Sequence, residues 1–262
     1  MRIAMLSNFF NKHQQPVSDA FAKTPNVVYR FIETERIPQE RCIDRIYESS
    51  YQMKACMDFI YKADVTIIGS ASQSLIKDRQ KNGRLIFRYS ERPLKNGFEP
   101  IKYFPRLIKW RKMNPINKPI YMLCASAFTA GDYAKFGLFK GKCYKWGYFP
   151  ETRRYDRIES IVEQKNKKTL LWCGRFLDWK HPDDAIEIAE RLRDAGYNFS
   201  LKLIGSGEME PLIRKRIKES NLENNVELLG TMSTESVRDV MEKAGIFLFT
   251  SDRKEGWGAV LN

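Results

Sequence analysis

Short apolar runs alternate with amphipathic stretches along the whole chain. In the first half, Ile3 to Leu6, Asn26 to Phe31, Val65 to Ile68, Arg84 to Phe87 and Pro119 to Cys124 read as strands, each short enough and bounded by polar or turn residues. Between them lie helical stretches, one from Val17 and one near Ser74 to Lys81. A third carries Met53, Cys56, Met57 and Ile60 at i, i+3, i+4 and i+7, which places them on one core-facing helical stripe. The second half repeats the pattern more clearly. Leu170 to Cys173, Leu201 to Ile204, Val226 to Gly230 and a buried Ile246 to Phe249 read as four strands with three helical stretches between them. Pro182 suits a first helical position, and Ala185, Ile188, Ala189 and Leu192 form an apolar face before Gly196,. Val237, Val240, Met241 and Ala244 do the same before Gly245. Regular alternation of strand and helix predicts an α/β protein with parallel, doubly wound sheets, in which ligands sit at the carboxyl ends of the strands.

The 262 residues correspond to about two domains,. The boundary is expected between Tyr144 to Glu151 and the charged run Glu163 to Lys168, giving domains 1–150 and 151–262. Hydrophobic residues at 43% and aromatic residues at 13% predict a folded chain rather than a disordered one,. The five cysteines, Cys42, Cys56, Cys124, Cys143 and Cys173, are scattered and contain no Cys-x-x-Cys pair, so they point to reduced thiols and to neither a disulfide framework nor a zinc site. No stretch approaches 18 apolar residues and the chain opens directly on a strand, which leads us to expect a cytosolic protein or one attached only to a membrane surface.

Charge separates the two halves. Residues 1–150 hold 26 Lys and Arg against 12 Asp and Glu, whereas residues 151–262 hold 19 against 20, so the whole basic excess of +13 lies in the first domain. Within it, Ile101 to Lys118 carries six cations and no acid, interleaved with Tyr103, Phe104, Leu107, Ile108 and Trp110. Three readings stay open: a surface for an anionic membrane, with cationic stems snorkelling; a solvated helix; and, least favoured, a nucleic-acid surface.

Candidate chemistry is concentrated where strands run into glycine. Ile246 to Phe249 runs out through Thr250 to Lys254 and turns on Gly256 and Gly258 around Glu255. Glycines let the backbone approach a ligand, and free N–H groups at a following helix start favour an anion. Leu170-Leu-Trp-Cys-Gly174-Arg175, followed by Lys180, and Leu201-Lys-Leu-Ile-Gly205-Ser-Gly207-Glu208 repeat the arrangement. Taken together with Leu229-Gly230, Thr250-Ser-Asp252 and Glu255-Gly-Trp-Gly258, these motifs give the segment from about Thr169 to Asn262 a resemblance to the donor-binding domain of family 4 retaining glycosyltransferases. Those enzymes have two Rossmann-like domains facing a cleft, the GT-B fold.

The resemblance implies a retaining glycosyltransferase that moves a sugar from a nucleotide-diphosphate donor to a glycan or lipid-linked acceptor in cell-surface polysaccharide synthesis. It assigns the diphosphate to Arg175 and Lys180, a fork and a point charge that would also stabilise the leaving diphosphate without a metal or other cofactor. Glu255 would meet hydroxyls of the donor sugar, with Gly256, Trp257 and Gly258 offering backbone N–H groups. Gly174, Gly205 and Gly207 fit close approach of the nucleotide, and Thr231 and Met232 lie where the family holds the base. The family motif places a second Glu eight positions after Glu255, at position 263, so a longer enzyme is expected. The rival reading is a truncated, inactive fragment that binds only nucleotide or a partner.

On the acceptor side His13 is the candidate, either as a proton acceptor tunable near neutral pH or as a packed side chain, with Asn8 and Gln14 beside it. The chain departs from the family here. The loop after the first strand has no glycine, and Ser90-Glu91 occupies the place of a customary His, so Glu91 is the group expected to orient an acceptor hydroxyl.

Overall fold

The computed structural model describes residues 1–35, 44–46 and 48–261. The chain separates into two compact units: Met1–Thr152 with Gly256–Val260, and Arg153–Glu255 with Leu261. Both are α/β units built on parallel sheets.

In unit 1 the described strands are β1 (Arg2–Ser7), β2 (Val28–Glu33), β3 (Asp44–Arg45), β4 (Val65–Ile68), β5 (Ile86–Ser90), β6 (Ile120–Cys124) and β7 (Cys143–Lys145). They pair in the order β3-β2-β1-β4-β5-β6-β7. The helices are α1 (Gln15–Lys23), α2 (Ser50–Lys62), α3 (Lys77–Lys81), α4 (Tyr103–Met113) and α5 (Thr129–Ala134). Strand alternation distributes β1 between two cores: Ala4 and Leu6 join Cys56, Ile60, Ile86 and Met122 on one face, and Ile3 and Met5 join Phe31, Ile67 and Leu123 on the other,. Both faces of the sheet are therefore covered, as a parallel sheet requires.

Unit 2 contains α6 (Ile158–Gln164), β8 (Asn166–Cys173), α7 (Pro182–Asp194), β9 (Ser200–Ile204), α8 (Glu210–Glu219), β10 (Val226–Gly230), α9 (Thr234–Lys243) and β11 (Ala244–Leu248). Its strands pair in the order β10-β9-β8-β11. Leu170, Trp172, Leu201 and Leu203 pack on Ala185, Ile186, Ala189, Ile213 and Ile217. Leu171 and Ile204 pack on the opposite face against Val237, Val240 and Met241. In both sheets the strand order reverses once, between β1 and β4 and between β8 and β11, and the crevice at the carboxyl end of such a reversal is where this architecture places ligands.

Several local expectations are corrected. The last strand begins at Ala244 rather than Ile246, because Ala244, expected on the preceding helix, is already extended at its C-cap. Nor is that strand fully buried: Ile246 is 48% exposed, since β11 stands at the outer position of the described sheet. The second strand runs Val28–Glu33, two residues later than expected, and the fourth expected strand runs Ile86–Ser90 rather than Arg84 to Phe87. Met53 leaves the helical stripe and is half exposed, whereas Cys56 and Ile60 are buried. Strands β3 and β7 were not anticipated; with two and three residues they are too short for a periodic signal. Among the described residues Cys56, Cys124, Cys143 and Cys173 are free thiols, and Cys42 lies outside them.

Candidate functional site

In unit 2 the site forms at the reversal between β8 and β11. Strand β8 ends at Cys173, and the chain turns through Gly174 and Arg175 into a 3-10 turn, Asp178–Lys180, before α7. Strand β11 leads to Thr250, whose Oγ1 accepts from Trp172 Nε1 at 2.8 Å and donates toward the Lys180 and His181 carbonyls at 2.6 and 2.8 Å. Asp252 N donates to Trp179 O at 2.9 Å. These bonds lock the two loops together and so bring Lys180 onto Glu255, with which it forms an ion pair and hydrogen bond. Arg175 is exposed and has no ion pair among the described residues.

The glycines of this site are required by contact. Gly174 N donates to Ile204 O at 3.0 Å, Phe176 N to Ser206 O at 2.9 Å and Gly205 N to Gly230 O at 2.8 Å, so three strand ends are tied by their backbones. At Gly205, φ is +132° and a Cβ would overlap the Gly174 carbonyl. At Gly207 a Cβ would lie 2.6 Å from Phe176 O. Only glycine permits this packing. Thr231 is exposed, its Oγ1 3.2 Å from Ser206 Oγ, and Met232 packs on the Leu171 cluster. His181, the half-buried Asp183 and the exposed Asp184 present ligand atoms within 4.8 Å of one another, but two adjacent acids with a His beside them do not by themselves make a metal site.

In unit 1 the sequence-predicted residues gather around two tyrosines. The His13 ring stacks on Tyr148 at 4.2 Å, and Tyr148 donates its hydroxyl to Glu91 Oε1. Tyr89 packs edge-on to Tyr148 at 6.2 Å. Gln14 is buried, with Oε1 accepting from Asn11 N at 2.8 Å. Asn8 closes the same loop: its carbonyl accepts from Glu35 N at 2.9 Å and its side chain from Ser7 Oγ at 3.1 Å. Burial holds His13 below its ordinary value near 6.5, with Glu91 partly opposing the shift, so the imidazole is neutral at neutral pH. Burial and the Glu91 carboxylate both push the Tyr148 phenol far up, which keeps it a donor.

Gly256, Trp257 and Gly258 group with unit 1. Trp257 lies 6.4 Å from Tyr148 between ring centroids and covers Gly147, where a Cβ would come within 2.5 Å of its ring. Gly256 abuts the Glu91 carboxylate. Burial of a large aromatic on an aromatic neighbour accounts for this placement. Tyr89 and Tyr148, which bind the cluster together, carried no signal in the sequence beyond their aromatic character.

Residues 154–262 match the family described as glycosyl transferases group 1. Over 100 residues the chain is 27% identical to 2-deoxystreptamine N-acetyl-D-glucosaminyltransferase of Niallia circulans, covering 38% of this chain and 26% of that protein. Over 82 residues it is 30% identical to the amylovoran biosynthesis glycosyltransferase AmsK of Erwinia amylovora, covering 31% and 20%. The matched part thus spans about a quarter or less of these relatives. In fold, the chain is similar to the lipopolysaccharide outer core galactosyltransferase WaaB (TM-score 0.65, 15% identity). It is equally similar to Anabaena HepE solved with UDP (TM-score 0.65, 12% identity), and each comparison covers 96% of this chain and 74% of the other. The fold is accordingly the Rossmann-like α/β architecture of GT-B glycosyltransferases.

Proposed function

We propose that this chain carries the working parts of a retaining, metal-independent glycosyltransferase of the family 4 type. It would take a nucleotide-diphosphate sugar in unit 2 and pass the sugar to a glycan or lipid-linked acceptor held by unit 1, in cell-surface polysaccharide synthesis. The observation that carries the reading is the convergence of Gly174, Gly205, Lys180 and Glu255 at the β8/β11 reversal, inside the segment that resembles group 1 glycosyl transferases. A diphosphate has the charge to take over Lys180 and to recruit the unpaired Arg175, and the freed Glu255 carboxylate can accept from sugar hydroxyls. In the transition state the departing diphosphate gains charge, so both cations contribute more there than in the ground state. Loss of the anomeric signal of the donor and appearance of the same anomer in product, followed by NMR with UDP-sugars and lipid-linked acceptors, tests the reaction. Inversion at the anomeric carbon would remove the family 4 assignment.

The surface of α4 supports an acceptor borne on an anionic membrane at the cytoplasmic face. Tyr103, Leu107 and Trp110 pack inward, while Ile101 is 93%, Phe104 69% and Ile108 68% exposed. Phe104 and Ile108 sit at i and i+4 on α4, and Ile101 in the 3-10 turn that precedes it, among Lys102, Arg106 and Lys109. A helix that is merely solvated has no reason to turn an isoleucine and phenylalanine stripe to water, whereas an interfacial helix does. Among the described residues, no helix is long and apolar enough to cross a membrane.

A further inference from the structure

The carboxyl ends of β4, β5 and β6 enclose a cavity of about 390 Å³ within unit 1, bounded by Gly69, Arg88, Glu91, Lys95, Tyr133 and Tyr148 among others. Three cationic side chains, Arg88, Arg92 and Lys95, and one acid, Glu91, line it. Two of the cations are already matched: Arg92 pairs with Asp132 at 3.2 Å and Lys95 with Glu91 at 3.7 Å. Arg88 has no carboxylate partner among the described residues; its hydrogen bonds, to Gln73 Oε1 and to Met113 O at 3.0 Å, both use Nη2. Its Nε is buried with no acceptor.

A fully buried arginine in the same unit shows what a purely structural guanidinium looks like. Arg79, 1% exposed, donates through Nη1 to the carbonyls of Ile60, Tyr61 and Ala63 and through Nη2 to those of Asp64 and Leu85. It closes the C-terminus of α2 with both terminal nitrogens engaged, and its Nε, like that of Arg88, is buried without an acceptor,; the two arginines differ at Nη1, which is used in Arg79 and not in Arg88. Arg88 likewise meets the end of α4 at Met113 O, but that contact engages only one nitrogen. A guanidinium has five N–H donors and keeps its charge; burial lowers Arg88 to about 10, so it is a cation at neutral pH. A partly desolvated cation that lines a polar cavity and keeps an unpaired donor is stabilised when an oxyanion enters,.

We propose that this cavity recognises a negatively charged acceptor sugar, one bearing a carboxylate or a phosphate, through Arg88, with Glu91 and Tyr148 at the cavity rim meeting its hydroxyls. The inference rests on the proposed function in taking unit 1 as the acceptor side, and it names the acceptor class: acidic saccharides rather than neutral ones. Gln73 acts as a positioning residue, since its Oε1 holds the guanidinium through Nη2 and leaves Nη1 to the ligand,. Among the described residues Arg88 Nη1 makes no hydrogen bond.

The test is ligand-observed NMR of the intact chain with glucuronate, glucose 6-phosphate, glucose and inorganic phosphate, each with wild type, Arg88→Met and Gln73→Leu. The proposal expects at least tenfold tighter binding of an acidic sugar than of glucose, an at least tenfold loss in Arg88→Met, and a smaller loss in Gln73→Leu. Preference for glucuronate or for glucose 6-phosphate decides between carboxylate and phosphate. Inorganic phosphate binding as tightly as glucose 6-phosphate means a simple anion site and overturns the acceptor assignment. Equal binding of glucose and the acidic sugars, or full acidic-sugar binding by an Arg88→Met protein with wild-type circular dichroism, also overturns it. Should Arg88→Met fail to fold, Gln73→Leu and competition by high salt in wild type carry the decision: binding indifferent to both is contrary to the proposal. UDP titration of wild type, Lys180→Ala and Arg88→Met separates the two sites: UDP binding lost in Lys180→Ala and kept in Arg88→Met belongs to unit 2, so failure of the donor reading is seen separately.

Discussion

Lys180 and Glu255, 75 residues apart, are joined in an ion pair at the strand-order reversal of the second sheet, their side chains only 16% and 20% exposed. The pair exists because bonds from the Thr250 hydroxyl and the Asp252 backbone N–H tie the end of β11 to the turn that carries Lys180. In the proposed reaction the donor's phosphate and hydroxyl groups would replace both contacts.

Separating those two contacts gives opposite responses to one substitution. Glu255→Gln frees Lys180, so affinity for a nucleoside diphosphate should hold or rise up to threefold. Affinity for the matching nucleotide sugar should fall by about tenfold, the worth of one charge-assisted hydrogen bond of roughly 1.4 kcal/mol. Calorimetric titration of both ligands with both proteins checks this; a parallel fall for both would show that Glu255 acts only as a scaffold.

Gly205→Ala places a methyl group on the Gly174 carbonyl at a backbone angle of +132°. The strand ends must part, and unit 2 should lose more than about 1 kcal/mol of stability together with nucleotide binding. Gly196→Ala is the control: its φ is +74°, but nothing lies within 4 Å of its Cβ, so any loss there is confined to backbone strain and nucleotide binding should persist. Urea unfolding of the two variants separates the effects.

The neutral His13 links stability to pH. Its value in the folded chain lies below the ordinary 6.5, chiefly through burial, so the unfolded state binds the proton more readily. Stability from this residue is therefore complete above about pH 6.5 and declines as pH falls through the folded value, at no more than about 1.4 kcal/mol per pH unit. Between pH 7.5 and 5.5 the urea midpoint of wild type should fall further than that of His13→Gln. An equal fall would mean that the imidazole is protonated equally well in both states.

Vesicle sedimentation should discriminate between the readings of α4. Binding to vesicles containing anionic lipid is expected to exceed binding to zwitterionic ones and to weaken with salt. The pair Phe104→Ser and Ile108→Ser should lower it at least fivefold without changing nucleotide affinity. Binding insensitive to both lipid charge and the pair would leave the helix as an ordinary solvated surface.

The architecture was readable because strands such as Ile3 to Leu6 and helices such as Pro182 to Asp194 carry their own period and caps,. Glycine motifs marked the unit 2 site, since Gly205 and Gly207 are demanded by backbone contacts that any side chain would break. The Lys180 to Glu255 pair was legible only as two separate candidates; their meeting depends on long-range backbone bonds, which leave no trace in local pattern. Tyr148 was missed for a related reason, because one aromatic in an irregular segment has no period. The packing of Trp257 over Gly147 was not legible, because a glycine-rich turn specifies backbone freedom, not which neighbour a side chain will cover.

The most direct test is isothermal titration of this chain with UDP, ADP and GDP and their sugars, in wild type, Arg175→Ala and Lys180→Ala. The account predicts that one nucleotide binds and that each substitution weakens it at least tenfold while the protein stays folded. Absence of binding by any nucleotide to a folded wild-type chain, or binding that survives both substitutions, would contradict the assignment of the β8/β11 reversal as the donor site.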